Sequence, residues 1–354
     1  MSQENKIEIG SLTLEELQVQ LERFGQPKYR AKQVFDWLHC KLIDDFSQMS
    51  NLSLSFRAVL SQNFYINSTK IKKTLVSLVD NTVKYLYVLP DGHLIESVLM
   101  EYRHGNSICI STQVGCKMGC SFCASADLGF TRNLTPYEML SQIYAAQKQS
   151  GRKINHVVLM GIGEPLDNFE NVLKFLRLIS CAEGCNISMR SISLSTCGLV
   201  GRIKELQELK LGVTLSVSLH APFDEMRSSM MPVNRKWNIA ELVACCGEYA
   251  VVTGRRISYE YAFIKDVNDS DECAFELVKL LGGQLCHVNI IPVNPVEKKQ
   301  YTASSRARMD RFKTILEQHK ITATVRRTLG ADINAACGQL RRSEINMEKE
   351  GHRK

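Results

Sequence analysis

The chain reads as an α/β protein, a parallel sheet curled into a partial or full (β/α) barrel behind a compact helical region and a β-hairpin. Three observations predict this. From about residue 105 onward, short apolar or β-branched runs recur between stretches of helical character. Most of those runs are continuous, as strands buried on both faces should be. A change of hydrophobic period near residue 76 separates this part from what precedes it. The 354 residues, 44% hydrophobic and 23% charged, are an ordinary globular composition, long enough for one large domain and a smaller one.

Residues 1–75 are expected to form a helical accessory domain. Leu14, Leu17, Leu21 and Phe24 fall at helical spacing, and Gly25 and Pro27 end that helix. A second amphipathic stretch runs from Tyr29 to Leu42 with Val34, Phe35, Trp37 and Leu38 inward. Residues 76–104 read as a hairpin linker, with Tyr85–Leu89 and Leu94–Met100 joined across Pro90-Asp91-Gly92. The core, 105–343, has candidate strands at Ser107–Thr112, His156–Met160, Ser191–Thr196, Thr214–Leu219, Ser258–Ile264, Val288–Val293 and Thr322–Arg327. Helices should lie between them, one opening at Thr135-Pro136-Tyr137-Glu138 with an N-cap, a first-turn proline and a capping-box glutamate. A charged tail, 344–354, closes the chain.

No apolar run is long enough to span a bilayer, and the first residues carry no apolar signal core. With thirteen cysteines this predicts a reducing, cytoplasmic setting and no membrane partner. Net charge is +7. Lys28, Arg30, Lys32, Lys70, Lys72 and Lys73 lie toward one end. Lys298, Lys299, Arg306, Arg308, Arg311, Lys313, Arg326, Arg327, Arg341 and Arg342 lie toward the other. Each group alone is an ordinary solvated face; clusters flanking a core on both sides suit an RNA backbone.

Cys116, Cys120 and Cys123 carry the sharpest chemistry. Their Cys-x3-Cys-x2-Cys spacing puts three thiolates on one loop. A structural zinc would want a fourth ligand nearby, and none follows. A four-iron cluster takes one cysteine per iron, so three leave one iron open to a ligand. In a parallel barrel, functional residues gather where strands end. There lie the triplet, Gly161-Ile-Gly-Glu-Pro165, Ser195, Ser218-Leu219-His220 and Asn294. The glycine loop lacks the third glycine of a dinucleotide fingerprint. Cys109 and Cys337 flank this region. Cys181 with Cys185 is a weak metal pair, and Cys245 and Cys246 sit in a helix.

The triplet spacing resembles that of the radical S-adenosylmethionine (SAM) enzymes. Together with Cys109-Ile-Ser-Thr-Gln-Val-Gly-Cys116, Arg132-Asn-Leu-Thr135, Met160-Gly-Ile-Gly-Glu-Pro-Leu166, Ser218-Leu-His-Ala-Pro222 and Asp332–Leu340, it makes the chain resemble the RlmN/Cfr family of radical SAM RNA methyltransferases over nearly its whole length. The resemblance implies a partial radical SAM barrel. It implies a [4Fe-4S] cluster on Cys116, Cys120 and Cys123, and SAM contacts from Gly163, Glu164, Ser195, Ser218, Leu219, His220 and Asn294. Cys337 matches the methyl-carrying cysteine, Cys109 the resolving cysteine of a transient disulfide with Cys337, and Glu96 the proton acceptor. The implied substrates are an adenosine of 23S rRNA and of some tRNAs, methylated at carbon 2 with two SAM per turnover. A flavodoxin-type reductant would supply electrons, and a monomer is expected. The resistance type of the family methylates carbon 8 instead. Gly163-Glu-Pro-Leu166 and Ile291-Pro-Val-Asn-Pro295 look more like the carbon-2 type, while Ala124-Ser-Ala-Asp-Leu-Gly129 departs from both. A non-catalytic RNA-binding protein with a structural cluster, and a radical SAM enzyme with a small-molecule substrate, are the alternatives from other classes.

Overall fold

The computed structural model describes residues 6–126, 129–293, 301–333, 340, 341 and 344. Strand β1 (Ile7–Glu8) leads into α1 (Leu14–Glu22), α2 (Lys28–His39) and α3 (Leu54–Asn63), and β2 (Phe64–Tyr65) returns to pair with β1 in parallel. Thr13 caps α1 in a reciprocal capping box with Glu16. Most of the apolar face predicted for these helices is buried, with Leu17, Leu21, Val34, Phe35 and Leu38 all but inaccessible, whereas Phe24 falls beyond the end of α1 and is exposed.

Three antiparallel strands follow: β3 (Lys70–Val76), β4 (Val83–Val88) and β5 (Leu94–Tyr102). The hairpin is where the sequence puts it, at Asp91-Gly92. Strand β3 is not, since the reading of residues 1–75 as helical missed it. Its lysines at 70, 72 and 73 mask a β period, and charge of this kind is what an unpaired sheet edge carries.

The core opens with β6 (Gly105–Cys109) and the short pair β7 (Gln113–Gly115) and β8 (Phe130–Asn133). Then come α4 (Pro136–Ser150), β9 (Ile154–Leu159), α5 (Phe169–Ser180), β10 (Ile192–Thr196), α6 (Val200–Glu208) and β11 (Thr214–Ser218). After α7 (Asp224–Met230) and α8 (Ile239–Thr253) follow β12 (Ile257–Phe263), α9 (Asp271–Leu281), β13 (Cys286–Pro292), α10 (Arg306–Gln318) and β14 (Thr322–Val325). One ten-stranded sheet has the order β14-β13-β12-β11-β10-β9-β6-β5-β4-β3. Strands β6 and β9–β14 are mutually parallel, and the two ends of the sheet do not pair. This is the partial barrel.

One expectation fails in an informative way. The parallel strands are not apolar on both faces. Leu194, Leu215, Val217, Tyr259, Tyr261, Val288 and Ile290 pack outward under the helices and are buried. The opposite face carries Ser195, Ser216, Ser218, Ser258, Glu260, Asn289 and Thr324, aligned strand to strand by the register. A barrel that is open need not fill its interior with aliphatic side chains, and this one lines it with hydroxyls, an amide and a carboxylate.

The helical region is fastened to the core at α4. Thr135 and Glu138 form the expected capping box. Arg132 grips Glu138 through two parallel bonds of 2.7 and 2.8 Å and Asp91 of the hairpin turn through Nε at 2.6 Å. It thereby ties the Arg-Asn-Leu-Thr motif to the turn. Gly10 lies against the Tyr137 ring so closely that a Cβ would sit 2.2 Å from a ring carbon. His39 is buried beside it, its Nδ1 2.8 Å from the Tyr144 hydroxyl.

Burial holds the His39 pKa down to about 3, against 6.5 for an ordinary histidine. Between those values the unfolded chain binds a proton that the folded chain refuses, so the histidine destabilises the fold as pH falls from 6.5 toward 3. The full effect is on the order of a few kcal/mol. Thermal unfolding followed across this range should show Tm falling with pH, and His39→Gln should flatten that slope. An unchanged slope in the variant would assign the acid sensitivity elsewhere.

Candidate active site

The cysteine loop leaves β7 and is held from several sides. The Cys116 amide donates to Gly129 O at 3.0 Å, and the Ser121 amide to Met230 O at 2.8 Å. The Ser121 hydroxyl meets that of Tyr301 at 2.8 Å, and Lys117 pairs with Asp167 at 2.7 Å. The Phe122 ring stands edge-on to His220, centroids 4.8 Å apart. All three cysteines of the triplet open onto one cavity of about 300 Å³. Its other walls are the C-terminal ends of β9–β14: Met160, Gly163, Glu164, Ser195, Cys197, Ser218, His220, Glu260, Ile291 and Arg326. Six strand ends around one space show how far the sheet curls.

Burial pushes the Cys116 thiol up to about 12 and Cys120 higher still, each opposed to its sister thiols and to Glu164. Three crowded thiolates therefore need positive charge to exist together. An iron–sulfur cluster supplies it, and metal ligation releases the protons. Among the described residues, no three His, Cys, Asp or Glu converge on a point for a single metal ion. The triplet instead borders a common space, which suits one thiolate per iron.

Gly163 adopts φ +112°, and a Cβ there would fall 2.6 Å from the Gln113 side chain. Glu164 follows, fully engaged by main-chain donors: Leu166 N at 3.0 Å and Cys197 N at 2.7 Å. Burial raises its pKa against those bonds. Its carboxylate thus braces the β9 and β10 ends, leaving backbone to face the cavity. His220 Nδ1 accepts the Ala262 amide at 2.9 Å. Burial first, then the charge of Arg227, lowers its pKa to about 3, so the ring is neutral with its proton on Nε2. Ser195, Ser218 and His220 reach the cavity as the sequence predicts. Leu219 does not line it; its side chain is wholly buried. Asn294 lies outside the described residues.

Two residues that sequence reasoning passed over shape this space. Arg227, on α7, is completely buried and donates to the carbonyls of Cys197, Ser218 and Leu219 and to Asn234 Oδ1, at 2.7–3.1 Å. It staples the ends of β10 and β11 together. Glu260 is buried in the cavity wall, accepting from Ser258 at 3.0 Å and Asn289 at 2.7 Å. Its pKa is raised by burial against the charge of Arg326, which lines the same wall. An acidic residue amid an apolar run, and an arginine amid a short helix, were the available signals.

Glu96 and Cys109 do not line the cavity, but they share its face of the sheet. Cross-strand register pairs Lys84 with Val98, Val98 with Cys109, Cys109 with Val158 and Val158 with Ser193. Glu96 is two residues from Val98 on that same face. Cys109 is buried with Val98 and Met100 against Met160, and Met160 also lines the cavity. Segments beyond β14 cross this face toward the hairpin. Gly330 N donates to Asp80 at 2.8 Å, Asp332 accepts from Ser77 at 2.7 Å and Leu78 N at 2.9 Å, and Ile333 packs beside Cys109. Leu340 packs on Leu86 and Leu94, and Arg341 N donates to Glu96 Oε2 at 3.1 Å. Cys337, four residues from both Ile333 and Arg341, lies outside the described residues.

Elsewhere the bland readings hold. Cys185 donates to His39 O at 3.8 Å, Cys181 meets Glu183 at 3.4 Å, and Cys245 and Cys246 are buried in α8. On α10, Arg306, Arg308, Arg311 and Lys313 each stand within ion-pair reach of a carboxylate. That helix is a mixed-charge surface. Lys298, Lys299 and Arg342 lie outside the described residues. No described helix is long and apolar enough to cross a membrane.

An open parallel barrel, a three-cysteine loop at its rim and a ligand-sized cavity beside that loop define a radical SAM protein. Residues 110–278 match the family model of the radical SAM superfamily, and residues 7–66 that of the ribosomal RNA large subunit methyltransferase N-terminal domain. The fold matches a radical SAM methyltransferase from Sphaerobacter thermophilus with TM-score 0.90 and 43% identity, over 94% of this chain and 98% of that one. The probable dual-specificity RNA methyltransferase RlmN of Clostridium botulinum (strain Okra / Type B1) is 52% identical over 338 residues, 96% of this chain and 99% of its own. That of Lachnoclostridium phytofermentans is 49% identical over 96% of this chain and 95% of its own. The chain belongs to the RlmN family of radical SAM RNA methyltransferases. Its cofactors are accordingly a [4Fe-4S] cluster and SAM.

Arg227→Met should cost on the order of 3–5 kcal/mol in thermal unfolding, because three buried carbonyls lose their donor at once. A loss below about 1 kcal/mol would mean that water replaces the guanidinium. Gly163→Ala should retain the fold while weakening SAM binding more than about tenfold by equilibrium dialysis, since the displaced Glu164 loop forms the cavity wall.

Proposed function

We propose that this enzyme methylates carbon 2 of an adenosine in 23S rRNA and in some tRNAs through a cysteine relay. The observation that carries the reading is the common face of the sheet. Glu96 and Cys109 share it with the cysteine-lined cavity, and both described flanks of residues 334–339 dock on it. In the sequence, Cys337 stands four residues from Ile333 and from Arg341 on these flanks.

The target carbon is electron-poor and is no nucleophile, so a covalent relay divides the task. Cluster and SAM supply the methyl group and the carbon radical when bound. On the protein side, the backbone at Gly163 and Glu164 and the side chains of Ser195, Ser218 and His220 orient SAM, with Leu219 contributing main chain and Asn294 a further contact. The Cys337 thiolate accepts a methyl group. After hydrogen abstraction from it, the methyl carbon adds to the adenine ring. Glu96 takes the proton from the ring carbon. With the unpaired electron of the adduct returned to the cluster, Cys109 attacks the Cys337 sulfur; the methylene carbon leaves with the C–S electron pair and takes up a proton to become the methyl group of the freed RNA, and the disulfide remains for an external flavodoxin-type reductant to open. The target base must leave its stack to reach the pocket, and the N-terminal region with its exposed lysines holds the surrounding RNA. The enzyme works as a monomer. The shared name of the relatives, dual-specificity RlmN, supports carbon 2 over carbon 8.

Nucleoside mass spectrometry of RNA from a deletion strain tests this. 2-Methyladenosine should vanish from both RNA classes, and its persistence in both would end the proposal; loss of an 8-methyl product instead would reassign the carbon. Purified Cys109→Ala should accumulate enzyme crosslinked to RNA through Cys337, whereas turnover without a crosslink would remove Cys109 from the relay.

A further inference from the structure

The relay explains why a carboxylate is needed at Glu96. It does not explain why a lysine is buried next to it. Lys84 and Glu96 sit on neighbouring strands, diagonal to one another on the inner face, with Nζ 3.5 Å from Oε1. Their side chains are 0% and 1% exposed. Lysine is almost never buried to this degree unless paired, and the outer face of β4, with Val83, Tyr85 and Tyr87, would have accepted another apolar residue on the inner one. A buried ion pair is also weak grounds for stability, because desolvation offsets the attraction. Something other than stability keeps it.

We propose that Lys84 is the positioning residue that holds the Glu96 carboxyl group aimed until the ring proton arrives. This rests on reading Glu96 as the proton acceptor. A carboxyl shut away from water otherwise takes up a proton from solvent and can no longer act as a base. Lys84 faces Glu96 from β4, and Arg341 supplies a main-chain N–H to Oε2 together with the charge of its guanidinium. Cys109 lies beyond Val98 on β6. Lys73, further along β3, is paired with Glu344. During the step, the proton passes from the ring carbon to a Glu96 oxygen and its electron pair stays in the ring. Lys84 keeps its own protons throughout.

The test uses the full-length, cluster-loaded enzyme with SAM, dithionite and an rRNA fragment bearing the target adenine. Single-turnover methylation is followed against pH, with the target carbon carrying hydrogen or deuterium. Lys84→Met should move the acid limb up by about one pH unit or more, slow the reaction about tenfold at neutral pH, and enlarge the deuterium isotope effect. Lys84→Arg should restore the wild-type limb. A wild-type limb and isotope effect in Lys84→Met would overturn the proposal. Glu96→Gln separates the two claims: a wild-type rate there would discard Glu96 as the base, and Lys84's role with it. A readout free of turnover covers a poorly folded variant. As pH is lowered through the carboxylate range, Lys84→Met should gain thermal stability relative to the double variant Lys84→Met/Glu96→Gln, which lacks the carboxyl group. Parallel pH dependence of the single and double variants would count against Lys84.

Discussion

The inner face of the sheet cannot be covered by the sheet itself, because β14 at one end finds no pairing strand in β3 at the other. A closed barrel of eight strands fills its interior with branched aliphatic side chains. Here the curl stops short, and the inner face needs other cover. Serines, Glu260 and Asn289 make it wettable, so a ligand can lie against it. The cysteine loop caps its upper end. The chain beyond β14 crosses back to the hairpin: Asp80 and Glu96 accept its main-chain N–H groups, and its Asp332 accepts from the Ser77 hydroxyl and the Leu78 N–H. The added antiparallel strands β3–β5 are therefore more than an ornament on the parallel core. They provide the landing surface for the segment that leads into and out of Cys337.

Charge follows the same geometry. The cavity wall and its surroundings collect cations: buried Arg227 behind the β10 and β11 ends, half-buried Arg326 beside Glu260, and buried Lys84 with Arg341 around Glu96. Each meets a different need. Arg227 satisfies carbonyls that strand ends would otherwise leave unpaired inside the protein. Its field also depresses the His220 pKa and faces Cys120 and Cys197. Glu96, Glu164 and Glu260 place buried acidic groups on and beside this face, and fixed guanidinium and ammonium groups answer them without the reorganisation that water would require.

Much of this was legible in the sequence, for identifiable reasons. The capping box at Thr135, the Asp91-Gly92 turn and the seven parallel strands depend on local signals, and the structure has them. The triplet was legible because its spacing encodes a single loop. What failed to show was nonlocal. Lys70-Ile-Lys-Lys-Thr-Leu-Val looks like a solvated charge run until β4 lies beside it. Polar alternation in Ser193-Leu-Ser and Leu215-Ser-Val-Ser was read as part of a two-sided buried run, because only the curvature of the sheet reveals that one side is a lumen. Arg227 reads as one more charged helix residue, since nothing in Asp-Glu-Met-Arg says that three carbonyls from two other strands converge on it.

The apolar patch around Cys109 adds a last constraint. Val98 and Met100 flank it on β5, Met160 bridges it to the cavity, and Leu329 and Ile333 close over it. Polar side chains line the cavity end, whereas the Cys109 sulfur, reactive in the proposed relay, is better kept from water and from stray acids and bases. Methionines suit that boundary, since their flexible side chains fill irregular space and yield to a shifting neighbour. The same sheet face thus changes character along its width, from hydroxyls under the cofactor, through thioethers, to a paired carboxylate under the hairpin. That order matches the order in which the proposed chemistry would need them: radical generation, carbon transfer, then proton removal.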